Sequence, residues 1–298
     1  MSLTQTETAS RDTLRRILSL LVSQAAFVAS DVFVKLAAQS GAAASQTMAL
    51  RGLMAVTIIG AMAYATGALV HLPRVFSRSV LQRGALEGFI ALTFILALPH
   101  IPLGEITVLL QTTPLIMTFL AVWLLGETVG WRRWTATAVG FVGVVLVARP
   151  DASGISLWAV LALACAVLIA VRDIITRRID PTIPTLAISL VTASLVCLTG
   201  FAITPFQSWG PISWEIVGCF AGSAVLVSFG NYFIIHAFRG GEISAIAPFR
   251  YAVVIWAMVA GALVWREYPD ALDLAGASLI VAAGLYALHR RRIRQGDA

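Results

Sequence analysis

Residues 104–127 read GEITVLLQTTPLIMTFLAVWLLGE, and residues 241–267 read GEISAIAPFRYAVVIWAMVAGALVWRE. Both open on Gly-Glu-Ile and a hydroxyl residue, carry a proline within an apolar run, and close on a glutamate. The openings are 137 residues apart, and the closing residues Glu127 and Glu267 are 140 apart. Each run is long enough for a membrane span, which needs roughly 20 apolar residues. A third correspondence sits elsewhere: Asp31 and Lys35 near the end of the first apolar run match Asp173 and Arg177 near the end of the sixth, at an offset of 142. The drifting offset describes two related halves with small insertions between them.

Composition agrees with this reading. Of the 298 residues, 59% are hydrophobic and 12% charged, with a mean hydropathy of +0.87, whereas a soluble domain carries about 25% charged residues. Apolar runs and their polar or Gly/Pro breaks give spans near 14–38, 46–70, 84–101, 104–125 and 132–148, then 155–178, 184–205, 213–238, 242–265 and 271–289. The expected fold is an all-α integral membrane protein of ten transmembrane helices, five in residues 1–149 and five in 150–298. The first run holds Asp31 and Lys35 and lacks a cleavage site, so it reads as a span and not as a secretory signal. Cys165, Cys197 and Cys219 lie in apolar stretches without metal-ligand spacing and read as small buried hydrophobes.

With the N-terminus inside, the inner segments hold fifteen of the twenty-one Lys and Arg residues and the outer segments only Arg149 and Arg266. This positive-inside bias places both termini in the cytoplasm, in a plasma or inner membrane. It also explains the net charge of +6 without a nucleic-acid partner. Tryptophans 123, 131, 134, 158, 209, 214 and 265 fall near span ends, where indoles favour the interface, and Trp256 lies mid-span. Five spans per half force the halves into opposite orientations, the inverted repeat of many secondary transporters.

Pro114 before Glu127, the Leu125-Gly126-Glu127 ending, and the Gly140-Phe141-Val142-Gly143 helix behind it resemble the EamA-type repeat of the drug/metabolite transporter superfamily. The second half is similar through Glu267, Gly276 and Gly284, but has Trp265-Arg266-Glu267 where the first has Leu-Gly-Glu. The resemblance implies two five-helix repeats around a central cavity, with helices five and ten peripheral, and export of metabolites by alternating access. Within the superfamily the chain looks most like the YddG-like amino-acid exporters.

A charge inside the bilayer costs at least a few kcal/mol unless it faces a cavity or a partner. Asp31, Arg51 and Glu87 are candidate structural or coupling charges, and depth along the helices suggests Asp31 with Arg51 and Glu87 with Arg250 as pairs. Pro99, Pro114 and Pro248 are candidate helix kinks that free backbone carbonyls. Gln111, Thr112, Asn231, Tyr232, Arg250, Tyr251 and Trp256 are candidate substrate-binding residues near mid-depth. His100 and His236 are weaker candidates as proton carriers, and Glu105 and Glu242 read as charges at helix N-termini.

No His-Glu-x-x-His, Walker-type loop or other catalytic or metal-binding set is present in the sequence, so neither an enzyme nor a cofactor or metal site is expected. An integral membrane enzyme is the runner-up class, and a channel would need a filter or a charged ring. Among carriers, one for phosphate-rich or nucleotide-linked substrates would favour several cavity arginines. Few charges and several aromatics fit the small-molecule substrate that the resemblance implies, a zwitterionic amino acid with an apolar side chain.

Overall fold

A computed structural model describes residues 3–71, 76–125, 131–149, 155–176, 178–180, 182–238 and 247–296. Among the described residues the fold is helical, without strands. In chain order the helices are α1 (Leu3–Gln39), α2 (Ala44–Ala65), α3 (Arg78–Ala97), α4 (Leu103–Leu110), α5 (Thr113–Leu125) and α6 (Trp131–Ala148). They continue as α7 (Leu157–Thr176), α8 (Thr185–Ile203), α9 (Trp214–Phe238), α10 (Ala252–Trp265) and α11 (Ala271–Gly296). Six helices are long and apolar enough to cross a membrane, and four shorter apolar segments, 103–117, 134–148, 249–265 and 271–286, accompany them. In hydrocarbon every amide must find its partner within the segment, which is why the apolar runs fold as helices.

The helix contacts have a symmetry of their own. α1 packs on α9 as α7 packs on α3, α3 packs on α8 as α9 packs on α2, and α1 packs on α10 as α4 and α5 pack on α7. The pairs α2 with α8, α6 with α11, and α4 with α10 are each related to themselves. Exchanging each apolar segment for the one five later therefore reproduces the packing. All these extensive contacts join the first half of the chain to the second.

Small residues make the contacts close, since lipid supplies no hydrophobic force between helices and van der Waals packing must hold them. A Cβ on Gly143 of α6 would lie 2.7 Å from the Gly276 carbonyl of α11, and one on Gly276 would lie 2.7 Å from the Gly143 carbonyl. In the α2–α8 pair, a Cβ on Gly52 would lie 3.0 Å from the Cys197 backbone.

Buried side chains concentrate at one end of the bundle. Val34 of α1, Met48 of α2, Ile95 of α3, Leu103 and Ile106 of α4, Val147 of α6, Ala159 of α7 and Ile280 of α11 form one cluster there. Apart from Ile280, the tenth residue of α11, these positions lie at the ends of α1, α3 and α6 and the starts of α2, α4 and α7. At the same end, Gln207 accepts from the Ser45 amide at 2.9 Å and Trp209 donates to the Ser45 hydroxyl at 3.1 Å, so the α8–α9 connection covers the start of α2.

Two expectations need correction. Pro99 does not kink a helix: α3 ends at Ala97, and Pro99 lies in the turn that precedes α4. A proline that cannot donate and Pro102 just beyond it end one helix and admit the next. The fourth apolar run is two helices and not one, because the chain breaks at Gln111 and Thr112.

Gly276→Leu pushes a side chain into the Gly143 backbone and lowers stability by about 1–3 kcal/mol, read as an earlier unfolding transition in detergent. Arg266 ends α10 with φ 58° and ψ 30°, the left-handed conformation, and the Glu267 amide then bonds the Gly261 carbonyl at 3.1 Å. Arg266→Gly removes the Cβ clash of that conformation and raises stability by up to about 1 kcal/mol, measured by the same melt.

Candidate functional site

The first proline-bearing stretch is interrupted, and the described part of the second begins with a 3-10 turn. In the first half, α4 stops at Leu110, and Pro114 enters the first turn of α5, where its missing donor is tolerated. The Leu110 carbonyl, left without a proline N–H, accepts from the Thr113 hydroxyl at 2.7 Å. Thr112 is fully buried and turns its hydroxyl back to the Leu109 carbonyl at 2.8 Å, while Gln111 is half-buried. In the second half, residues Ala247–Tyr251, which include Pro248, form a 3-10 turn before α10. A shift of 137 carries 110–114 onto 247–251, so the two breaks are sequence counterparts.

Both breaks are held from equivalent helices. Gln24 of α1 donates its amide to the Phe249 and Arg250 carbonyls at 3.2 and 3.0 Å. Thr113 donates to the Ala166 carbonyl of α7 at 3.4 Å. Ala166 stands 142 residues after Gln24, the offset that relates α1 to α7. Sequence reading passed over Gln24, although a glutamine in the middle of an apolar run beside Ser23 is the signal that singles it out. It anchors the second break through backbone carbonyls.

The charged residues fall into distinct groups. Lys35, 2% exposed, donates to Glu267 Oε1 at 2.7 Å and to the Ile101 carbonyl at 3.0 Å, with its ammonium 4.6 Å from the Trp265 ring centroid. Glu267 Oε2 accepts from the Leu103 amide at the start of α4 at 3.0 Å. Three segments are tied at the buried end by one ion pair. The left-handed Arg266 turns the chain so that Glu267 points back at Lys35.

Deeper in the bundle the expected partner of Glu87 is replaced. Glu87 of α3 pairs with Arg172 of α7 at 3.0 Å, not with Arg250, and Arg172 also bonds Asp173 at 2.7 Å. The neighbouring Arg83 donates to Thr192 of α8 at 2.7 Å. Depth alone matched Glu87 to Arg250, but α3 packs on α7 and α8, which puts Arg172 in reach. At the related α1–α9 contact, Ser30 and Ser223 hydroxyls lie 2.7 Å apart.

The remaining candidates spread over several faces. Arg250 is exposed and, among the described residues, makes no ion pair. Tyr251 points its ring at Gly284 of α11, with the hydroxyl buried and unpartnered. Asn231 satisfies its amide on the Val227 carbonyl of its own helix at 2.9 Å. Tyr232 packs edge-on against Phe233 and is exposed, as is Trp256. His100 stacks on Trp158 in the turn before α4, with ring centroids 3.6 Å apart. Glu127, Glu242 and the His236 and Pro248 side chains lie outside the described residues.

Asp31 and Arg51 remain. Both are half-buried, each is the other's charged neighbour, and no direct ion pair joins them. The Arg51 Nε is buried without a hydrogen-bond partner.

Comparison with known proteins gives consistent results. The chain is 28% identical over 212 residues to an S-adenosylmethionine uptake transporter of Rickettsia prowazekii, covering 70% of this chain and 71% of the relative. It is 26% identical over 234 residues to a riboflavin transporter of Rhizobium johnstonii, covering 76% and 73%. It is 25% identical over 205 residues to the pseudopaline exporter CntI of Pseudomonas aeruginosa, covering 68% and 72%. A solved crystal structure shares the fold, with a TM-score of 0.57 at 21% identity over 96% of this chain and 99% of that one. The model of the EamA-like transporter family matches twice, over residues 14–149 and 152–288. The protein is a membrane-embedded, multi-pass transporter of small metabolites and not an enzyme, and it belongs to the EamA-like transporter family.

Proposed function

We propose that the protein is a secondary carrier for zwitterionic metabolites with an amino-acid head group, working by alternating access. Its ten crossings form two inverted halves, 1–149 and 150–298, around a central cavity. The observation that carries this reading is that the break at 110–114 and its sequence counterpart, the 3-10 turn at 247–251, flank α4 and α10, which pack against each other. Broken helices at a repeat interface present backbone groups and polar side chains at mid-depth, where a carrier holds its substrate.

With both termini cytoplasmic, the end closed by the apolar cluster and by Lys35 with Glu267 is the outer end. The conformation is then closed outside, and substrate meets the site from the cytoplasm. Leaving one member of such a buried pair alone costs about 3–5 kcal/mol, so this end opens only as water reaches both charges. Arg250 lies on the cytoplasmic approach to the break and draws the substrate carboxylate inward. Relatives named as uptake transporters and as an exporter fit a carrier whose direction follows the substrate gradient. S-adenosylmethionine is itself an amino acid, which joins the amino-acid reading to that relative.

Two measurements test the proposal. Single cysteines at Ser10→Cys and Ser153→Cys are challenged in intact cells with a membrane-impermeant thiol reagent. Labelling at position 153 alone is the expected result, and labelling at position 10 alone reverses the orientation. Purified protein in liposomes preloaded with amino acids, S-adenosylmethionine and riboflavin is then followed by mass analysis of what leaves. Zwitterions should leave fastest, with Arg250→Met slowing them at least about tenfold and Arg250→Lys less, because lysine keeps the charge but loses the fork. Unchanged flux in a folded Arg250→Met protein removes that residue from the route.

A further inference from the structure

Asp31 and Arg51 are neighbouring opposite charges that do not close into an ion pair. Lys35 meets Glu267, and Arg172 meets Glu87 and Asp173, at contact distances of 2.7 to 3.0 Å. Asp31 and Arg51 lie on helices consecutive in the chain, at matching depth. Asp31 stands eight residues before the end of α1 and Arg51 seven after the start of α2, about 12 Å and about 10 Å down their helices at 1.5 Å per residue. Opposite charges at one level, brought out of water, close to contact when their role is to stabilise each other, because only contact offsets desolvation. These two stay open, and the Arg51 Nε, buried, bonds to nothing.

Resting on the carrier reading above, we propose that Asp31 and Arg51 are the two jaws of a head-group site for an α-amino acid, Asp31 receiving the ammonium and Arg51 the carboxylate. An acid and a base that neighbour each other without pairing match a zwitterion, which carries one charge of each sign on groups bonded to a single carbon. A phosphate-bearing substrate would call for several arginines. A neutral ring system would gain nothing from two desolvated charges that must be kept unpaired while it is absent. The site lies nearer the closed outer end than Arg250 does, so a substrate entering from the cytoplasm passes Arg250 first and reaches the jaws at the end of its path. Arg172 is neutralised by Glu87 and Asp173, which leaves Asp31 and Arg51 as the open pair.

The test uses wild-type proteoliposomes and compounds that differ only in the head group. L-phenylalanine is compared with phenethylamine, which lacks the carboxylate, and with 3-phenylpropanoate, which lacks the ammonium. S-adenosylmethionine is compared with 5′-methylthioadenosine, which lacks the amino-acid portion. Compounds with both charges should be carried, and should raise the melting temperature in detergent, at concentrations at least about tenfold lower than their partners, as expected when a buried charge loses its counterpart. Arg51→Gln should erase the gap between phenylalanine and phenethylamine, and Asp31→Asn the gap between phenylalanine and phenylpropanoate. The wild-type comparison stands even where a variant does not fold. Methylthioadenosine or riboflavin carried as readily as the amino acids overturns the jaws and leaves the carrier. Head-group discrimination that persists in both folded variants does the same. No flux and no stabilisation with any compound overturns the carrier reading, and the jaws with it.

Discussion

Among the described residues the extensive helix contacts of each half are made with the other half, and the rest of the structure depends on that. The extensive helix contacts run between residues 1–149 and residues 150–298, through small residues that let backbones approach. In lipid, where apolar side chains gain little by meeting each other, such close approach is the main source of cohesion. Gly143 against Gly276 and Gly52 against Cys197 are therefore the joints of the molecule, and each joins an element to its own symmetry counterpart.

From this interleaving the site acquires its form. Because α4 packs on α10, the two interrupted segments stand together, and because α1 reaches α10 while α7 reaches α4 and α5, each break is fastened by a corresponding helix. The fastening is chemically unequal. Gln24 holds one break by a side-chain amide and Thr113 holds the other by a hydroxyl on a backbone carbonyl. Gln24 has Ala166 as its counterpart, so the two halves are alike in packing and unlike in the side chains that hold their breaks.

The closed end shows how a departure from the repeat is absorbed. The second half carries Arg266 where the first carries Gly126, and the arginine adopts the left-handed conformation that glycine takes without strain. What that conformation secures is the direction of Glu267, which bonds Lys35 and the Leu103 amide at once. A local cost of about 1–2 kcal/mol is offset by a buried charge that would otherwise lack its partner.

The sequence by itself determined the helical class, the ten apolar segments, the duplication at offsets of 137 to 142, and a family resemblance carried by Pro114, Glu127 and the glycines behind them. Those properties reside in hydropathy and spacing along one helix, which a chain displays before it folds. It also singled out the breaks, since a proline in an apolar run advertises a missing donor. Only the tertiary structure decided that Glu87 meets Arg172 and not Arg250, that Pro99 belongs to a turn, that Tyr251 faces α11, and that Asp31 and Arg51 stay apart. Depth along a helix follows from 1.5 Å per residue, but the helix that lies alongside is chosen by packing between distant segments, and no periodicity within either segment encodes it.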